Sequence, residues 1–196
     1  MTLAEAQSDL RRAYVGGGPG VLVSGLIWLA AAAVERGRGT AAAFVFLFFA
    51  GMLIFPVATL ACRLLFRRAK EAAGNPLGLL ALESTVAMIG GLFAAWLILP
   101  FRPDYVFPLS AIAVGTHYAV FRTVYGDRTF WLLGALITAV GVLGIYPAFT
   151  VPGGPILAVG LIELVFALTL ITRLLRRTRT GREMGRSVED PRDEHP

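Results

Sequence analysis

Three ionisable side chains stand inside stretches that are otherwise apolar: Glu83, His117 and Glu163. In a nonpolar helix such groups are costly unless they face protein or water, so chemistry is sought there first. Glu83 is followed by Ala87, Gly90 and Ala94 on one helical stripe, the small-residue pattern that lets helices approach closely, which predicts that Glu83 points into a bundle beside Ser84 and Thr85. His117 follows Ser110 and Ala113 on a similar face. The two stretches are joined by a short connection around Arg102-Pro103-Asp104, which makes them antiparallel neighbours. Counted from the same end at 1.5 Å per residue, Glu83 lies roughly 9 Å deep and His117 roughly 12 Å. A Glu–His pair at that depth suits a proton relay, a substrate-binding pair or a polar clamp.

Glu163 falls near the middle of its stretch, with Gly160 and Ala167 on its face. A midplane carboxyl must be protonated, paired within the bundle, or reached by water, and it is the best marker of an ion or proton path. As a simple clamp it would be a neutral acid hydrogen-bonded to a neighbouring helix. Tyr118, Arg122 and Tyr125 recur at helical spacing toward the basic end, and Arg11, Arg12, Tyr14 and Gly16-Gly17-Gly18 join them at that level. Together they suit a vestibule that attracts an anion; Arg122 and Arg128 equally suit membrane-surface anchoring.

Other chemistries lack a motif. His117 and His195 are the only histidines and Cys62 the only cysteine, so no metal or haem ligand set forms and no cofactor is expected. There is no phosphate loop or nucleophile elbow. Cys62 reads as a small buried hydrophobe.

The elements that must position these residues are six apolar stretches of about twenty residues, the length that crosses a hydrocarbon core of about 30 Å. The 196-residue chain is 56% hydrophobic and only 16% charged, with a mean hydropathy of +0.69. We read an all-α polytopic transmembrane bundle, with spans near 16–35, 41–66, 77–99, 105–125, 129–148 and 154–175. All 18 Lys and Arg except Arg36, Arg38 and Arg102 then fall on one side, which places both termini in the cytoplasm. The net charge of +5 is thus a topology signal, and nucleic acid is not an expected partner. Anionic lipid headgroups are, and a homo-oligomer is compatible with the small-residue faces.

Residues 1–15 read as an interfacial amphipathic helix, with Leu3, Ala6, Leu10 and Ala13 at helical spacing and acids before bases. They carry no basic n-region of a cleavable signal. Residues 16–175 form the membrane domain, and 176–196 a basic, then polar and disordered, cytoplasmic tail. Pro56, in a Phe-rich second span, predicts a bend on a lipid-facing helix. Gly17-Gly18-Pro19 with Ser24-Gly25-Leu26-Ile27 loosely echoes Gly153-Gly154-Pro155 with Gly160-Leu161-Ile162.

Arg12-Ala13-Tyr14-Val15-Gly16-Gly17-Gly18, Ser24-Gly25, Gly51 through Pro56, Asn75-Pro76-Leu77, Ala81 through Thr85, His117-Tyr118 and Tyr125-Gly126 together resemble a bacterial family of small multi-span membrane proteins of unknown function. The resemblance covers nearly all of 5–148. It implies a multi-pass protein of the inner membrane and supplies no activity, substrate or cofactor. The residues themselves favour binding or movement of a small solute or ion through a polar core of Glu83, His117 and Glu163, with Arg122 and Tyr118 toward the cytoplasmic mouth. Two alternatives stay open: a structural or partner-binding subunit, and, less favoured, a membrane-embedded lipid-modifying enzyme with Glu83 and His117 as acid and base.

Overall fold

The protein is described from a computed structural model covering residues 1–146, 148 and 150–188, with side chains placed through Arg173, apart from 147 and 149, and at Arg176. Among the described residues there are seven α-helices and no strand. They are α1 (Leu3–Ala13), α2 (Gly18–Gly51), α3 (Ile54–Leu64), α4 (Pro76–Ile98), α5 (Val106–Tyr125), α6 (Thr129–Ile145) and α7 (Gly154–Val188). Three segments are long and apolar enough to cross a membrane: Val15–Gly51, Pro76–Ile98 and Gly154–Arg173. The helices α3 and α6 are apolar but shorter.

Backbone punctuation explains the boundaries. Gly17, at φ 82°, turns the chain into α2, and Pro19 follows within the first turn, where a missing N–H costs nothing. Gly39, at φ 80° and ψ 173°, kinks α2 in the middle, so that its first half is the first stretch read from composition and its second half, together with α3, is the second. A second break falls at Met52-Leu53, one turn before Pro56. That is where a proline ring collides with the preceding carbonyl. Phe55, Leu60 and Leu64 beyond it face outward. The sixth stretch differs from its expected length: α7 runs on as helix to Val188 instead of yielding at 176–181. No proline interrupts that segment, and Arg, Glu and Met are good helix formers. Residues 189–196 of the expected tail lie outside the described residues.

The closest pairings are α5 with α6, α2 with α7, and α4 on α5. Glycines make the first two. A Cβ on Gly134 would lie 2.6 Å from Gly115 O, and one on Gly141 2.5 Å from Pro108 O, so α5 and α6 touch backbone to backbone. Between the pairs lies an aromatic and aliphatic core that includes Trp28, Phe107, Phe130, Leu133 and Ile137. α4 is peripheral, with only 6% of its most apolar window buried.

The N-terminal helix turns Ala6, Leu10 and Ala13 of its apolar face onto the bundle and leaves Leu3 exposed. Thr2 and Glu5 cap it reciprocally, and Ala6, Leu10 and Ala13 are buried where α1 packs on α4 and α5. Polar latches surround that face. Gln7 Nε2 donates to Thr123 O at 2.8 Å, Arg11 donates to Tyr125 O, and Asn75 Nδ2 donates to Ala6 O at 3.0 Å. Asp9 accepts from Ala72 N at 2.7 Å and from Arg12 at 2.6 Å. Chiefly through the Ala72 amide, this holds the Asp9 carboxyl below its ordinary value. A depressed carboxylate contributes stability that is present above the ordinary range and lost as pH falls through the lower, folded value. Protease protection of α1 should therefore weaken below about pH 4. Asp9→Asn should flatten that dependence and already show the weaker protection at pH 7; an unchanged acid profile in the variant would remove Asp9 from the latch.

Candidate functional site

The helices α2 and α7 cross antiparallel, Gly18 lying against Ile171 and Gly25 against Glu163. At the crossing the contact is reciprocal. A Cβ on Gly25 would stand 3.1 Å from Gly160 O, and one on Gly160 3.1 Å from Gly25 O. The glycines of the two Gly-Leu-Ile triplets of the loose repeat thus meet at the crossing, while Leu26 and Leu161 face outward. This crossing buries Glu163 completely, at 0% exposure, despite its charge-bearing side chain.

Ser24, 4% exposed on α2, and Tyr118, 7% exposed on α5, turn their hydroxyls toward the Glu163 carboxyl. Neither completes a hydrogen bond, since both carboxyl oxygens lack a partner. No basic side chain joins the group in the ion pairs of the described residues. Burial of an unpaired carboxylate is strongly unfavourable. The arrangement is therefore suited to a neutral acid, or to a carboxylate that draws in a small cation and surrounds it with two hydroxyls. Tyr118 is held in place by Phe130, stacked 6.5 Å away, and Phe130 stacks in turn on Tyr125 at 5.2 Å. Among the described residues no group of three His, Cys, Asp or Glu could hold a metal ion.

The expected Glu83–His117 pair does not form. Glu83 is exposed on α4, together with Ala87, Gly90 and Ala94. Its neighbour Ser84, turned about 100° around the helix, meets His117 instead, Oγ to Nδ1 at 2.8 Å. His117 also packs edge-on against Phe121 at 4.6 Å. α4 and α5 are neighbours with Ser84 at the level of His117, but the helix phase differs from the expected one, because an apolar surround and a packed apolar neighbour leave the same sequence pattern. The acid–base pair needed for an α4–α5 lipid-modifying centre is therefore not assembled. Ser84→Ala should cost about 1–3 kcal/mol by leaving the imidazole unpartnered. Glu83→Gln should change stability by less than about 0.5 kcal/mol. Melting of both variants in detergent measures the difference, and the reverse ranking would restore Glu83 as the buried partner.

The remaining predicted residues divide. Tyr118 joins Glu163 rather than a vestibule. Arg122 is exposed and stacks over Trp131 at 5.2 Å. Arg11 is taken up by the α1 latch, and Tyr14 donates to Glu71 at 2.8 Å. Burial, with that bond, pushes the Tyr14 phenol up to about 12. Within the glycine run Gly17 packs on Tyr125 and Phe130 and Gly18 on Ile171, while Gly16 faces open space. Ser24 was missed as a site residue, although it is the lone hydroxyl in the first apolar stretch.

No curated protein and no solved structure matches the chain. A family profile does match, over residues 3–174, and so includes Ser24, Tyr118 and Glu163. The chain belongs to that family, a family of unknown function (DUF7010).

Proposed function

We propose that this protein is a six-crossing inner-membrane protein that binds a proton or small cation at Glu163 and moves it through the bundle. The observation that carries the reading is the pair of unpartnered carboxyl oxygens, fully buried and faced by the Ser24 and Tyr118 hydroxyls. Natural helix bundles seldom keep a buried polar group unsatisfied without a use for it. In the conformation described the carboxyl is closed off. Access then requires α2 and α7 to part, with Leu29 withdrawing from Gly160 and Ile171 from Gly18. Proton flux in proteoliposomes, wild type against Glu163→Gln, tests the reading.

Topology is tested separately. In a Cys62→Ala background, cysteines at Gly37 and Thr150 should react with an impermeant thiol reagent in intact cells, and one at Ala73 should not. Each of these positions is exposed. Labelling at Ala73 would overturn the cytoplasmic placement of the termini.

A second reading, an assembly subunit, is favoured by α4, whose outer face carries the exposed Glu83 on one stripe with Ala87, Gly90 and Ala94. It predicts no flux from the wild type.

A further inference from the structure

A shallow, laterally open groove of about 520 Å3 runs along the outer seam of α5 and α6. Its lining includes Gly115, Ala119, Trp131, Gly134, Thr138 and Val142. The backbone contact of Gly115 and Gly134 creates it, because two helices that touch without side chains leave a furrow beside the contact. The surface it offers is apolar: Thr116, on its edge, donates its hydroxyl within its own helix to Ile112 O at 3.0 Å. The size is that of a small-ligand cleft.

Two features identify the occupant. From Trp131 to Val142 the groove follows eleven residues of α6, about 16 Å at 1.5 Å per residue. That is half of a hydrocarbon core of about 30 Å, the depth of one leaflet. At the Trp131 end stands the exposed Arg122 guanidinium, which has no carboxylate partner among the described residues. Exposed Arg128 begins α6 nearby, and Arg173 donates to Thr129 at 3.0 Å; against these stands one acid, Asp127, which accepts from Thr129 N. The end is net cationic where a headgroup would lie, and the body is apolar where a chain would lie.

We infer that the α5–α6 groove is a binding site for an anionic phospholipid, with one acyl chain along the furrow and the phosphate on Arg122. The inference rests on the membrane reading of α6 and is independent of Glu163. Guanidinium groups favour phosphate through paired N–H donors, and Trp131 sits at the level where aromatic residues favour the interface.

The test uses the full chain in nanodiscs of equimolar phosphatidylglycerol and phosphatidylcholine, released into detergent, with retained lipid read by native mass spectrometry. The wild type should retain phosphatidylglycerol about fivefold over phosphatidylcholine, the preference one basic group near an anionic surface supplies. Arg122→Gln should bring the ratio near one, and Arg122→Lys should restore most of it. Ala139→Phe, at an exposed lining position, should displace both lipids. Melting temperatures show whether each variant is folded. Equal retention of the two lipids by the wild type, or retention unchanged in Arg122→Gln and Ala139→Phe, overturns the site. A lipid-free dimer that Ala139→Phe dissociates would overturn it in favour of a second copy in the groove. A chain that fails to enter bilayers would overturn the site by removing the membrane reading itself.

Discussion

Glu163→Gln is expected to reduce proton flux in proteoliposomes at least tenfold while leaving the fold intact. The amide keeps the shape of the side chain and can donate to the Ser24 and Tyr118 oxygens that face it, but it cannot take up or release a proton. Glu163→Leu should also abolish flux, and its stability separates the two roles of the residue. A clamp whose carboxyl is hydrogen-bonded would lose about 1–3 kcal/mol on that change. Both oxygens are unpartnered, however, so leucine removes a buried polar burden and leaves no broken bond. We therefore expect Glu163→Leu to melt at or above the wild-type temperature in detergent, the signature of a residue kept for activity at the expense of stability. A wild type without flux, or a Gln variant with full flux, would remove the transport reading. A leucine variant that loses more than about 2 kcal/mol would show that the carboxyl does hold the bundle.

The largest effect on folding is expected at Gly115. A Cβ there would lie 2.7 Å from Gly134 O and from Thr138 N, both backbone atoms that cannot turn aside. Gly115→Ala should thus force α5 and α6 apart and cost about 1–3 kcal/mol, with Gly115→Val worse. Gly90 is the control. It also lies within a helix, but a Cβ there meets nothing within 4 Å. Gly90→Ala should gain up to about 1 kcal/mol from helix propensity alone. Thermal melting of the two alanine variants in one detergent decides the matter; similar melting temperatures would refute the close approach of α5 and α6.

That contrast also explains what was legible before the fold was known. Ala87, Gly90 and Ala94 on α4 and Ala111, Gly115 and Ala119 on α5 are small-residue stripes of the same kind. One faces outward and the other is a helix contact. In a soluble protein the polar face would fix the rotation of each helix. Here both faces of each helix are apolar, so the pattern leaves the phase open. Glu83 was for that reason assigned the place that Ser84 occupies.

Local chemistry was settled by the residues themselves. Gly17-Gly18-Pro19, Gly39, Pro56 and Asn75-Pro76 start, kink and break helices because φ and the missing proline N–H act within a few residues, whatever the surroundings. The depth of Glu163 and its small neighbours likewise follow from counting along one helix. Its partners do not. Ser24 lies 139 residues before Glu163 and Tyr118 lies 45 before it, and they meet only because Gly25 and Gly160 let α2 and α7 cross backbone to backbone while α5 packs beside them. Helix existence is a local property of the chain; which face of each helix meets which neighbour is decided by packing among apolar surfaces that the one-dimensional pattern does not distinguish.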